Sequence, residues 1–165
     1  MVAVSLKKKG VDRFDDALLV STARANPMVN FLVIGGEPGA RAGSPSNVHR
    51  LGPRSYEDVP AYLQHSDFAI MPLTAVPANE GRSPMKIFEF GAAGLPVVAS
   101  TSAELRRRAL PFVRLAESPA EFAALCRQVA GRGVATKWLF LQALERDRFQ
   151  VARHAGVEHA GRDGI

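Results

Sequence analysis

The chain has a single cysteine, Cys126, which excludes an intramolecular disulfide framework and any zinc site built from several thiolates. One tryptophan and two tyrosines are too few to stack the bases of a single nucleic-acid strand. No apolar run approaches the ~18 residues of a membrane span. No secretory signal is visible, because Lys7-Lys8-Lys9 follows the first six residues and no apolar stretch comes after it. There is no Gly-x-Ser-x-Gly elbow and no Gly-Lys-Ser phosphate loop, and Gly35-Gly36 lacks the Gly-x-Gly-x-x-Gly spacing of a dinucleotide fold. His49, His65, His154 and His159 show no metal-ligand spacing with carboxylates or Cys126, so no metal is expected. A cytoplasmic location is the default, with the inner face of the membrane as its variant.

What is present is ordinary globular material: 165 residues, 47% hydrophobic and 22% charged. That fits one domain with a proper core and excludes intrinsic disorder. Twenty-one Lys and Arg against sixteen Asp and Glu give a net charge of +5. The excess favours anionic partners, namely a phosphate-bearing ligand, a membrane surface or nucleic acid. The densest basic clusters, Lys7-Lys8-Lys9 and Arg106-Arg107-Arg108, read first as solvated faces and only second as binding patches. Cys126 sits beside Leu125 and is expected to be a buried small hydrophobe.

Short apolar runs alternate with amphipathic ones. Val2–Val4 reads as a first strand cut short at its start, and Asp12–Ala25 as a helix capped by Asp12, with Leu18, Leu19 and Thr22 inward and Pro27 as its stop. Phe31–Ile34 is a strand buried on both faces, ended by Gly35-Gly36, and residues 37–47 form a loop. Val48–Leu51 is a strand closed by Gly52-Pro53. Ser55 caps a helix through Tyr62, with Pro60 disturbing its first turns. Phe68–Met71 is the fourth strand, and residues 74–82 form another loop. Ser83-Pro84 opens a helix to about Ala93, with Gly94 as its stop. Pro96–Ser100 is the fifth strand, Phe112–Leu115 the sixth, and Ser118-Pro119 opens a helix ending at Gly131. A last helix is expected over Ala135–Ala152, with Phe140, Leu144 and Val151 on one face. Residues 1–152 are therefore expected to form one domain and residues 153–165 a disordered tail. The alternation predicts an α/β, Rossmann-like parallel sheet of about six strands flanked by helices. Ligands of such sheets bind beyond the carboxyl ends of the strands, here at Gly35-Gly36, Gly52-Pro53-Arg54, Pro72-Leu73 and Ser100-Thr101.

Arg82 to Ser100 is the most informative segment. A helix start attracts anions, Lys86 adds a full charge there, and Glu89 lies three residues on, on the same face. A carboxylate can accept from both hydroxyls of a ribose, so phosphate beside Lys86 and ribose beside Glu89 make a sensible nucleotide site. The alternative is a Lys86–Glu89 surface ion pair.

The wider pattern, Pro84-x-Lys86-x-x-Glu89 followed by Gly94-x-Pro96-Val97-Val98, resembles the nucleotide-binding signature of GT-B glycosyltransferases. Phe31–Gly36, Asn47–Gly52 and Tyr62–Pro72 are similar, in order, to other stretches of the C-terminal GT-B domain. The resemblance covers roughly residues 1–130 and is closest to bacterial exopolysaccharide and teichuronic acid enzymes, including xanthan-type glucuronosyltransferases. It implies a single GT-B half that binds a nucleotide-sugar, specifically a UDP-sugar, as donor substrate with no further cofactor. Lys86 would contact the diphosphate, with Ser83 at the same helix opening, and Glu89 would bind the ribose. Met85 and Leu73 would lie near the nucleoside, Pro53 and Arg54 would face the base, and Gly35 and Gly36 would let the chain approach the phosphates.

The chain departs from the pattern in two places. Retaining members carry a first Glu eight residues before the ribose Glu, and Gly81 stands there, with Glu80 one residue off. The phosphate-binding Arg and Lys after the first strand are represented only by Lys7, Lys8 and Lys9. A retaining mechanism with the standard parts is thus in question, and the catalytic residues are not assigned. A complete GT-B enzyme has a second, acceptor-binding domain, so the chain reads as a fragment, a truncated product or one subunit of a split enzyme. Its acceptor glycan or lipid-linked sugar would come through that missing half or a partner chain, with peripheral membrane contact as a further option. Trp138 and Phe140 belong either to a partner-facing surface or to the core. Two alternatives stay open: a non-catalytic nucleotide-sugar-binding subunit, and a basic nucleic-acid-binding module, the less favoured of the two.

Overall fold

Apolar residues fill both faces of the strands in this chain, as a sheet covered by helices on two sides requires. The computed structural model describes residues 1–7, 13–75 and 85–131. Along it run β1 (Val2–Leu6), α1 (Asp16–Ala25), β2 (Asn30–Ile34), β3 (Val48–Gly52), α2 (Val59–Gln64) and β4 (Phe68–Met71). Then follow α3 (Lys86–Ala92), β5 (Val97–Ser100), α4 (Ala103–Arg108), β6 (Val113–Ala116) and α5 (Pro119–Gly131). The six strands form one sheet in the order β3-β2-β1-β4-β5-β6, with every pairing parallel. This is the expected Rossmann-like α/β fold. The strand order reverses between β1 and β4, and such a reversal opens a crevice at the carboxyl ends of the strands.

Side chains alternate between two cores with the period of two that a strand imposes. Ala3, Phe31, Val33, Phe68, Ile70 and Val98 pack on one face with Leu18, Leu19 and Ala23 of α1 and Phe122, Cys126 and Ala130 of α5. Val4, Ile34, Ala69, Met71, Val97 and Ala99 pack on the other with Leu63 of α2, Ile87 and Phe90 of α3, and Leu105 of α4. Phe31, Phe68, Phe90 and Phe122 are fully buried, and burial of each such side chain contributes about 1.5–3 kcal/mol.

Several motif residues turn out to hold the scaffold. Asn47 Nδ2 donates to the carbonyls of Ala23, Asn26 and Val29, so it closes the end of α1 against the start of β2. Buried Asn26 in turn donates to Thr22 O and Ala123 O, joining α1 to α5. Asp67 accepts from the amide of Val2 at 2.7 Å while its own amide donates to Val2 O, pinning the start of β1 to the start of β4.

The structure corrects the bounds of α1, α2 and β1 and adds one helix. α1 begins at Asp16, capped by Asp15, whose side chain accepts from the Leu18 amide; Asp12 is outside the described residues. The preceding residues are held extended by a bridge from Phe14 to Leu73, with Asp15 N donating to Pro72 O and Thr74 N to Arg13 O. α2 starts at Val59 rather than Ser55; Ser55 Oγ caps only a turn, accepting from Asp58 N, and Pro60 sits in the first turn of the helix. β1 runs on to Leu6 because it pairs with β2 along its whole length. α4 was not expected at all: six residues with only Leu105 buried give no readable period, although Ser102 caps it from the Leu105 amide. The expected helix Ala135–Ala152, the tail, and Trp138 and Phe140 lie outside the described residues.

Candidate functional site

The crevice between β1 and β4 is spanned by Lys86. This residue is the first of α3, which follows β4, and its ammonium donates to the carbonyl of Leu6 at the end of β1. The side chain is half-buried, so the charge is fixed at the mouth of the crevice instead of swinging in solvent. Glu89 lies one turn on in the same helix and is exposed. Among the described residues the carboxylates in ion pairs are Asp16, Glu104 and Glu117. An ion pair between Lys86 and Glu89 is not among these. α3 starts at Lys86 with Met85 at the capping position and no side-chain cap. Ser83 and Pro84, expected to open it, lie outside the described residues. In a helix of seven residues the Lys86 charge carries more of the attraction for an anion than the backbone does.

Gly35 and Gly36 follow β2 beside this crevice. Both have positive φ, +94° and +68°, which a glycine adopts without strain. A Cβ on Gly35 would overlap the Lys7 carbonyl oxygen, and one on Gly36 would touch the Lys7 side chain. The close approach these glycines permit here is that of the chain after β2 to the chain after β1. Lys7 itself extends past Gly36 to Asp16 at 3.0 Å, over the ring of Phe14.

Asp16, in the first turn of α1, gathers two more cations that sequence reading missed. Arg41 Nη1 lies 2.6 Å from its Oδ2, and Arg50 Nη1 lies 2.9 Å from its Oδ1. Burial pulls the Asp16 pKa up, but the Lys7 hydrogen bond and the charges of Arg50 and Lys7 outweigh it and hold the carboxyl below its ordinary value. Arg50 is buried in β3, and its Nε has no hydrogen-bond partner among the described residues. One signal was available: Arg50 shares a strand face with Val48 and Gly52, where a charge needs a buried partner.

The remaining expected residues surround this centre. Leu73 is half-buried after β4, and its amide donates to Ser100 Oγ at the end of β5. Met85 is exposed before α3. Pro53 and Arg54 follow β3 on the far side of β2; Arg54 Nε donates to the Tyr62 hydroxyl and Nη1 to Pro53 O. The structure thus brings Lys86, Gly35 and Gly36 to the end of β1, sets Leu73 beside it, and leaves Pro53 and Arg54 at the edge strand. The basic run on α4 is paired locally: Arg106 Nη2 donates to both oxygens of Glu117, and Arg107 and Arg108 both bind Glu104, whose pKa Arg107 chiefly lowers. Two carboxylates thus offset most of the charge of the three arginines. No group of three or more His, Cys, Asp or Glu able to hold a metal occurs among the described residues, and no described helix is long and apolar enough to cross a membrane.

A parallel sheet with a lysine fixed at its reversal point and a carboxylate one turn further on has the charges to meet a phosphate-bearing ligand. The chain is 32% identical over 131 residues to TuaH of Bacillus subtilis (strain 168), a protein assigned to teichuronic acid biosynthesis as a glycosyltransferase. The match takes in 73% of this chain and 32% of TuaH, so the chain spans about a third of its relative's length. The family profile described as "Glycosyl transferases group 1" matches residues 1–131, the whole of the sheet and its helices. The chain belongs to the group 1 glycosyl transferases.

Proposed function

We propose that this chain is the donor-binding domain of a glycosyltransferase that uses a UDP-sugar to build a cell-envelope polysaccharide. The observation that carries the reading is the Lys86 ammonium held at the carboxyl end of β1, across the reversal of strand order. In this scheme Lys86 contacts the donor diphosphate and stabilises the negative charge that grows on it as the sugar leaves. Glu89 accepts from the two ribose hydroxyls. Met85 and Leu73 supply apolar contact to the nucleoside, the backbone around Pro53 and Arg54 faces the base, and Ser83 completes the phosphate end. Sugar transfer would then need an acceptor glycan or lipid-linked sugar presented by another domain or a partner chain. The scheme calls for no metal, and the intracellular side of the membrane is the compartment that supplies such donors.

Glu89 gives the sharpest test. Glu89→Ala should weaken UDP binding by roughly 1.5–3 kcal/mol, the range for hydrogen bonds to a charged group. It should weaken 2′,3′-dideoxy-UDP far less, since that ligand has no hydroxyls to lose. Titration calorimetry of both proteins against both ligands gives the coupling directly, and a coupling of zero removes Glu89 from the ribose. Equal affinities of the unaltered chain for UDP and uridine would sink the diphosphate role of Lys86.

A further inference from the structure

At the carboxyl ends of β1, β2 and β3 the cations outnumber the carboxylate that faces them. Asp16 receives Lys7 from the end of β1, Arg41 from the loop after β2, and Arg50 from β3. Their tasks differ. The Arg50 side chain is 3% exposed and contacts Oδ1, so its charge is compensated inside the protein. Lys7 and Arg41 converge on the other oxygen, Oδ2, at 3.0 and 2.6 Å. Arg41 is 42% exposed and Asp16 30%, so this second half of the cluster opens to solvent. It also adjoins the crevice, because Lys7 directly follows Leu6, whose carbonyl holds Lys86.

Building on the donor-site reading, we propose that Arg41 is a phosphate-binding residue for the donor diphosphate, and that Asp16 Oδ2 is the internal competitor which an incoming phosphate oxygen displaces. The two acceptors are alike in kind, but a phosphate offers more charge and more oxygens to a guanidinium fork. Arg50 stays on Oδ1 throughout, so the buried Arg50 charge keeps its partner when Oδ2 is released. Lys86 on one side of the β1 end and Arg41 with Lys7 on the other provide two cationic points for two linked phosphates. Asp16 lowers the affinity of the site for any single anion and leaves the fold intact.

The test is calorimetry of the full chain with uridine, UDP and inorganic pyrophosphate, on the unaltered protein, Arg41→Ala and Asp16→Asn. Arg41→Ala, a change at an exposed side chain, should weaken UDP about tenfold, as loss of one charged hydrogen bond does, and leave uridine unchanged. Asp16→Asn should tighten both UDP and pyrophosphate several-fold. Unchanged UDP binding by Arg41→Ala would overturn the proposal while leaving the donor site standing. Weaker UDP binding by a folded Asp16→Asn would overturn the competition. If the unaltered chain fails to prefer UDP to uridine, the donor-site reading falls first and this proposal with it. Should Asp16→Asn fail to fold for want of the Arg50 counter-charge, Arg41→Ala alone decides.

Discussion

Protonating Asp16 would leave Arg50, almost wholly buried, without its counter-charge, and this makes the residue a determinant of acid stability. Its folded pKa lies below the ordinary 3.8, so the unfolded chain takes up that proton more readily than the folded one. The stabilisation is complete above the ordinary value and is lost as pH falls through the depressed one. Denaturant midpoints should be flat near neutral pH and fall in the window below 3.8, and Asp16→Asn should flatten that acid limb. Glu104, half-buried beneath Arg107 and Arg108, acts in the same sense. Cys126 shows the opposite pressure on an ionisable group. Burial alone pushes its thiol up to about 12, so the thiolate is scarce at neutral pH. A disulfide reagent at pH 8 should label the unfolded chain promptly and the folded chain only at its rate of opening.

Among the elements, α3 illustrates how packing reverses a propensity. Replacing a helical glycine by alanine ordinarily stabilises by roughly 0.5–1 kcal/mol. At Gly91 a Cβ would come within 2.7 Å of the Phe112 ring, which is buried between α3 and β6. Gly91→Ala should therefore destabilise, by about 1–3 kcal/mol, as overpacked cores do, and chemical denaturation will show the sign. The same contrast between local and distant information explains what could be read in advance. The strands were legible because Phe31–Ile34, Phe68–Met71 and Val97–Ala99 are unbroken apolar runs bounded by Gly, Pro or polar residues. Lys86 and Glu89 were legible because three residues on one helix decide their relation. The start of α1 was not, since it depends on Phe14 pairing with Leu73, far along the chain. Nor was the Asp16 cluster, whose three cations come from three separate segments with no common spacing.

For the molecule as a whole, the central position of β1 and β4 sets where the fold is most secure. β1 is bonded to β2 on one side and β4 on the other, whereas β3 and β6 end the sheet. Amide exchange should be slowest in β1, β4 and their immediate partners and fastest in β3 and β6, as measured residue by residue; a uniform rate across the sheet would contradict this. The strand order has a consequence for synthesis as well. A chain emerging amino end first can pair β1 with β2 and β2 with β3 early, but β4 is not available until Phe68–Met71 has been made. Until then the β4-facing edge of β1 is an open row of backbone donors and acceptors, and Leu6 has no lysine to receive. The crevice thus comes into being on the ribosome only after β1, β2 and β3 have been made. A nascent chain halted before Lys86 would hold four of the six strands and lack the lysine that spans the crevice.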